Sequence, residues 1–360
     1  MTSLRGEVRA GGGGGSGALL VVGDVVTDIV ARHGAPLAVG TDTAAAIRTV
    51  PGGAGANVAC WAASWGCGDV RLLGRVGVDS AAWHEEALTR AGVRSQLVVD
   101  SDAPTGTVIC LVDGGAGGGA ERTFLTDSGA ALRLSGADWS PELLDGVGWL
   151  HLSGYLFFAG PSRAMAETAL TAARARGVPV SVDPASAGFL AGLGVGRFLA
   201  ATEGVDVLLP SEGEARLLAG APGLGESAGL GGSPGLGDGA GLGESAGLKG
   251  SPGLGESAGL KGSSRLGDPA GLADSAGLSR RYPVVVVKRG AAGAVVARGG
   301  EVRAEIPALP AAARDSTGAG DAFTGAFLAS RLGGAGLCEA SAEGCRAGAR
   351  AVELVGGRPG

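Results

Sequence analysis

The chain has 360 residues, 45% of them hydrophobic, and a formal net charge of −6 at pH 7. That length suffices for one large α/β domain with an accessory element, or for two modest domains. The acidic balance and an aromatic content of 4% exclude the basic stripe and stacking platform of a nucleic-acid binder. Glycine supplies 72 residues, so a glycine motif standing alone carries little weight here.

No apolar run reaches the roughly 18 residues needed to span a bilayer, and no apolar signal region precedes the glycine run near the start, so the expected address is the cytoplasm, with no membrane partner. Five cysteines (Cys60, Cys67, Cys110, Cys338, Cys345) form an odd set without C-x-x-C spacing, read as free thiols in helices and strands. His33, His84 and His151 are too scattered for a zinc pattern; His84 is expected on a helix surface and His151 in a strand.

In chain order, residues 1–17 read as a flexible glycine-rich tail. Ala18 to Val22 and Val25 to Val30 read as one strand continuing through a bend at Gly23-Asp24. A helix over Ala54 to Trp65 follows, and strand and helix then alternate: strands at Asp69–Val76, Trp149–Leu152 and Val178–Val182, helices at Ser80–Ala91 and Ser162–Arg176. This rhythm predicts an α/β fold, a doubly wound, mostly parallel sheet flanked by helices. Two stretches break it, about 35–50 and 96–126, and are expected to form a small β lid. From Pro222 to Ser279 the chain is a six-residue near-repeat of Gly, Leu, Ser and Ala, too poor in apolar area to offset the backbone entropy of ordering, roughly 1–2 kcal/mol per residue. It is read as a disordered insertion, with a solenoid as the alternative, interrupting one domain made of 18–221 and 280–360. The pattern resumes with Val284–Val287, an apolar run suited to a buried central strand, then Ala294–Ala297 and two helices from Gly318 onward.

The most informative segment is Asp315-Ser316-Thr317-Gly318-Ala319-Gly320-Asp321, small residues opening an apolar helix. Unpaired N–H groups of Gly318, Ala319 and Gly320 at that helix N-terminus suit an anion such as a transferring γ-phosphoryl. Asp321 in the same turn is placed to take the proton of an attacking hydroxyl, and phosphoryl transfer depends chiefly on such positioning and on preorganised donors. A tight turn with an acidic first-turn residue explains the segment equally well. In Pro51-Gly52-Gly53-Ala54-Gly55-Ala56-Asn57, Gly53 permits close ligand approach and Asn57 offers a donor and an acceptor to a sugar hydroxyl; helix capping by a glycine-rich loop is the plainer account.

In this order and about 260 residues apart, the two segments resemble the paired signatures of the PfkB or ribokinase-like carbohydrate kinase family. The resemblance extends over most of the chain outside the tail and the repeat, and implies ATP-dependent phosphorylation of a primary hydroxyl on a sugar, with a nucleoside kinase or a non-catalytic sugar sensor as alternatives. It implies Asp321 as base and the Gly318–Gly320 amides as anion hole. It places Asp28, five residues after Gly23, on substrate hydroxyls, and makes Arg122 of Glu121-Arg122-Thr123 a lid residue near the substrate. Leu209-Pro210-Ser211-Glu212-Gly213-Glu214 is similar to the family's N-x-x-E segment, so Glu214 is expected to organise Mg2+ through water, with Ser211 in place of the asparagine. Lys288, the one lysine outside the repeat, with Gly290 and Gly293, looks like the nucleotide-contacting strand and turn. Asp315 is matched to a monovalent-cation site for K+, and two copies of the chain are expected to associate through the lid. Ala54 stands where ribokinases proper carry lysine, and Ser153-Gly154 where they place a ribose-binding glutamate, which argues against ribose.

Gly12-x-Gly14-x-x-Gly17 fits a dinucleotide fingerprint but precedes the first strand, and the G-x-S-x-G matches at Ser227, Ser233, Ser245 and Ser257 all lie inside the repeat; both are compositional accidents. No G-x-x-x-x-G-K-[S/T] occurs, so phosphate binding falls to the Gly318 turn.

Overall fold

The computed structural model describes residues 17–113, 122–221 and 269–359. The tail over 1–16, Glu121 and the repeat over 222–268 lie outside the described residues. In chain order the first half contains β1 (Ala18–Val22), β2 (Val26–His33), β3 (Ala45–Gly52), α1 (Ala54–Ser64), β4 (Val70–Gly77), α2 (Ala81–Arg90), β5 (Val93–Asp100), β6 (Thr105–Asp113) and β7 (Arg122–Gly129). Then follow β8 (Val147–Ser153), α3 (Gly160–Ala175), β9 (Val180–Asp183), α4 (Ala187–Leu193), α5 (Val195–Ala201), β10 (Val207–Leu208) and α6 (Glu212–Ala219). The last part holds α7 (Pro269–Leu278), β11 (Val284–Lys288), β12 (Ala294–Arg298), β13 (Glu301–Ile306), α8 (Ala319–Leu332) and α9 (Leu337–Ala351).

Among the described residues the strands form two sheets. The larger has the order β13-β12-β11-β10-β9-β8-β1-β4-β5, parallel from β11 to β5, with β12 and β13 antiparallel at one edge. Both faces are covered, which is why β1 (Ala-Leu-Leu-Val-Val) is apolar throughout and buried at every position. Successive side chains alternate between faces. Leu19, Val21, Val284 and Val286 join a core with α1, α8 and α9, while Leu20, Val22, Val285 and Val287 join a second core with α3 and α5.

The smaller sheet, β3-β2-β6-β7, is the lid. Its composition differs from the expectation in three ways. β2 does not continue β1: the chain leaves the main sheet at Gly23-Asp24-Val25, where the Asp24 side chain caps α1, and β2 pairs with β3 and β6. β5, placed in the lid by its lack of a following helix, pairs with β4 at the main-sheet edge, so the lid resumes only at Thr105. Residues 35–44 carry no strand.

Helix α7 lies within the stretch 222–279 that was expected to be unstructured. Leu278 is fully buried and Leu272 packs against the same core, so this end of the low-complexity stretch has an apolar surface to fold onto. All five cysteines are free, and Cys67 sits in the turn after α1, not in a helix or strand. His84 is on α2 but fully buried, its ring bonded to Thr27 Oγ1 at 3.2 Å, so its expected surface position is corrected. His151 is in β8 as expected, buried against Ser181. Among the described residues no helix is long and apolar enough to cross a membrane.

α1 and α8 pack side by side, and what brings them close is Gly325. A Cβ there would lie 2.5 Å from the Val58 carbonyl oxygen, so a glycine is required for the helices to touch backbone to backbone. This contact sets the first turns of the two helices against each other at the carboxyl ends of β1 and β8.

Candidate active site

A cavity of about 1280 Å³ opens between the lid and the carboxyl ends of the main-sheet strands. It exceeds the 300–1,000 Å³ of a typical single-ligand pocket, leaving room for two small molecules side by side. Asp28, Gly53, Asn57, Arg122, Glu214, Lys288, Gly290, Gly318, Gly320 and Asp321 all line it. Residues scattered over most of the sequence are thus brought to one cleft.

At its centre, α8 begins with Gly318 as N-cap in the left-handed conformation at φ 71°, which a residue with a side chain adopts only at a cost. The Ala319 N–H is already donated to the Ser316 carbonyl at 3.3 Å, so Ala319 is removed from the expected trio of anion donors. The amides of Gly318 and Gly320 have no protein acceptor among the described residues. Asp321 follows in the first turn. Its Oδ2 accepts from Asn57 Nδ2 at 2.9 Å. Burial raises the Asp321 carboxyl, the Asn57 hydrogen bond opposes it, Asp183 and Asp24 raise it further and Lys288 lowers it, leaving it at about 7.

Asn57 was expected to offer both amide ends to a sugar. The structure engages both, Nδ2 on Asp321 and Oδ1 on Arg358 Nε at 3.3 Å, so its part in the site is to hold the carboxylate. The N-terminus of α1 is likewise spoken for: Asp24 accepts from Ala54 N at 2.7 Å and Gly55 N at 3.2 Å, and from Ser153 Oγ at 2.7 Å. Asp28, buried on β2 beside Gly52, is pushed up to about 7 by burial and Asp24, against Arg358.

On the other flank, Lys288 ends β11 and its ammonium pairs with Asp183 at the end of β9. A Cβ on Gly320 would lie 3.4 Å from Lys288 Nζ, so this cation sits beside the amide turn. Burial pulls the Lys288 ammonium down, but Asp183 and Glu214 outweigh it and its pKa is raised. Thr324 Oγ1 on α8 donates to the same Asp183 oxygen at 2.9 Å. Glu214 closes a capping box with Ser211, whose N–H donates to Oε2 at 2.8 Å, and burial with Asp183 raises its carboxyl.

Three expected ligands sit differently. Gly293 does not line the cavity: its Cβ position is filled by the Ile306 carbonyl, so it serves the β11–β12 turn. Arg122 opens β7 in the lid, but its guanidinium is held by Asp315 at 3.0 Å and by Ser316 Oγ. Asp315 is no exposed turn residue. It is buried, accepts from Thr317 N at 2.9 Å and Gly356 N at 3.0 Å, and these bonds with Arg122 overcome burial to hold its carboxyl low. With both oxygens bonded and a guanidinium already neutralising it, Asp315 does not fit a K+ ion. For a divalent ion the fit rests on Glu214, which faces the cavity with Oε2 accepting from Ser211 N; Asp183 beside it is itself held by Lys288, Thr324 Oγ1 and Ala185 N.

Sequence reasoning missed Asp24, Asp183, Tyr155 and Arg358. Asp24 follows and Asp183 ends a parallel strand, the position where ligands gather in such sheets, and that signal was available. Tyr155 follows β8, lines the cavity, and is pushed up by burial and by Asp24, Asp321, Glu214 and Asp183 around its hydroxyl. Its ring meets Phe158 and Phe189 edge-on, forming an aromatic wall.

The pfkB family carbohydrate kinase model matches residues 17–230 and 256–360. A fructokinase of Escherichia coli is 37% identical over 166 residues, which are 46% of this chain and 49% of that protein. The chain thus spans about half the length of the curated relatives it matches. An adenosine kinase from Sinorhizobium meliloti superposes with a TM-score of 0.72 at 20% identity, over 96% of each chain. An Escherichia coli protein described as a ribokinase II, in complex with ATP and Mg2+, superposes at 0.71 and 22% identity, over 95% of this chain and 94% of that one. At these identities the likeness is one of fold.

Proposed function

Because the chain belongs to the pfkB family of carbohydrate kinases, we propose that it transfers the γ-phosphoryl group of ATP to a hydroxyl group of a sugar, with Asp321 as the base. The observation that carries this reading is the juxtaposition of a carboxylate near pH 7 in its titration with the unpaired amides of Gly318 and Gly320, facing the cleft that also holds Asp28.

Asp28 and Asp24 orient the sugar hydroxyls, and the aromatic wall at Tyr155 packs against the ring. Asp321, held by Asn57, accepts the proton of the attacking hydroxyl. The amides of Gly318 and Gly320 receive charge on the transferring phosphoryl, and the Lys288 ammonium adds a fixed positive charge beside them. Glu214 would hold Mg2+ through water, and the ion would supply neutralisation of phosphate charge. No K+ takes part, since Arg122 serves Asp315.

The test is ADP release measured across ketoses, aldoses and nucleosides. A ketose is the expected acceptor, because two curated relatives that the chain matches are fructokinases and Ser153 replaces the ribose-binding glutamate. Asp321→Asn is expected to lower kcat by about 10²–10⁴-fold. Turnover unchanged in that variant would sink the mechanism.

A further inference from the structure

We infer that Arg358 is a positioning residue: by fixing which end of the Asn57 amide faces Asp321, it sets the hydrogen bond that orients the base. This rests on the reading of Asp321 as base.

The segment after α9 is threaded between α1 and the turn that precedes α8. Val352 O accepts from the N–H groups of Arg314 at 2.7 Å and Asp315 at 3.0 Å, and Gly357 O accepts from Trp61 Nε1 at 2.9 Å. Side chains on Gly318 or Gly357 would run into this packing, the first against Gly357 and the second against the Asn57 amide. The next residue, Arg358, turns its guanidinium toward α1 and the end of β3. Nε donates to Asn57 Oδ1 at 3.3 Å, and Nη2 donates to the Gly52 carbonyl at 2.9 Å.

A carboxamide has two ends of nearly equal shape and opposite polarity, whereas a guanidinium only donates. Arg358 therefore requires the amide oxygen on its side, which leaves the NH2 for Asp321. In the reverse orientation the amide oxygen would face the carboxylate and the NH2 would face the guanidinium, two mismatches at once. Spanning Asn57 and Gly52 takes the planar fork of arginine; a lysine ammonium on its flexible stem does not hold both with the same geometry.

Charges around the two groups fix the direction of the effect. Asp321 is faced by Asp24 after β1, Asp183 at the end of β9 and Lys288 on β11, with Glu214 and the Tyr155 hydroxyl in the same cluster. Arg358 itself faces Asp28 on β2, Cys60 on α1 and His84 on α2. Removing Arg358 frees the amide, weakens its donation to Asp321 and raises the pH at which the base ionises.

The experiment is a double-mutant cycle on the full chain, using Arg358→Met and Asn57→Ala, read by kinetics and by carboxyl 13C NMR of the ligand-free protein, with Asp321→Asn assigning the signal. Arg358→Met is expected to lower kcat at pH 7 by about 10-fold, to leave KM for ATP within about 3-fold, and to move the Asp321 titration upward by about one unit. Activity then recovers as pH rises. In the Asn57→Ala background the same change is expected to add nothing, because Arg358 acts through that amide. Should Arg358→Met fold poorly, Arg358→Lys is measured instead, and partial retention of kcat is expected. Additive effects in the cycle, or an unmoved Asp321 titration in a folded variant, overturn the inference. A wild-type protein without ATP-dependent turnover on any acceptor overturns the kinase reading, while the NMR titration still decides the role of Arg358.

Discussion

Asn57 Nδ2 and Asp321 Oδ2 are 2.9 Å apart although 264 positions separate the two residues in the chain. The bond exists because α1 and α8 are packed at Gly325, and through it a neutral side chain opposes the effect of burial on Asp321. We predict that Gly325→Val costs about 1–3 kcal/mol by overpacking and also lowers kcat, since the helices must separate. Urea unfolding and steady-state kinetics on one preparation check it; a stability loss with kcat unchanged would contradict the link.

Burial of carboxylates sets the pH dependence of stability. The folded Asp321 titrates near 7 against an ordinary value of 3.8, so its charged form is disfavoured in the folded state. This penalty is absent below about pH 4, where the group is protonated folded or unfolded, and fully present above about pH 7. We predict that Asp321→Asn stabilises the ligand-free protein at pH 8 by about 2 kcal/mol and that the gain vanishes at pH 4. A gain that grows on acidification would show the sign to be wrong.

Ala185 has φ of 71° and is the one non-glycine residue among the described residues with positive φ. It lies in the turn after Asp183-Pro184, on the cavity wall. Left-handed backbone costs alanine roughly 1–2 kcal/mol, so Ala185→Gly or Ala185→Asn is expected to raise stability by about 1 kcal/mol. Thermal unfolding decides between relief and no change.

The Arg122–Asp315 pair is nearly sealed from solvent, with side chains 11% and 0% exposed. Removing one partner of a buried pair costs about 3–5 kcal/mol, so Asp315→Asn is expected to lower stability by that order. Because Arg122 supplies the positive charge, turnover should be equal, within about 2-fold, in KCl and in tetramethylammonium chloride at matched ionic strength. A strict K+ requirement would mean that Arg122 leaves Asp315 during the reaction.

Much of this architecture was legible from residues alone. The apolar runs at Ala18–Val22 and Val284–Val287 announce buried parallel strands because nothing polar interrupts them, and Gly318 to Asp321 announces a helix N-terminus. What stayed hidden depends on partners distant in sequence. Nothing local in β5 says that its neighbour is β4, since a strand's sheet is chosen by pairing. Asp315 reads as a turn aspartate until Arg122 and Gly356 arrive from far away. The same holds for Asp183, whose importance lies in a lysine and a threonine more than 100 positions onward. Glycine abundance hid the rest, because Gly290 and Gly293 look alike in sequence while one borders the cavity and the other carries a neighbouring strand.

The passage from β1 to β2 takes three residues, Gly23, Asp24 and Val25. Asp24 belongs to the floor, tied to α1 and to Ser153, whereas Asp28 rides on the cover. On the kinase reading proposed above, a sugar bridging both carboxyl groups would touch both sheets at once. The grip on an acceptor would then span that short connection, and an acceptor lacking a hydroxyl within reach of Asp28 would be held from the floor alone.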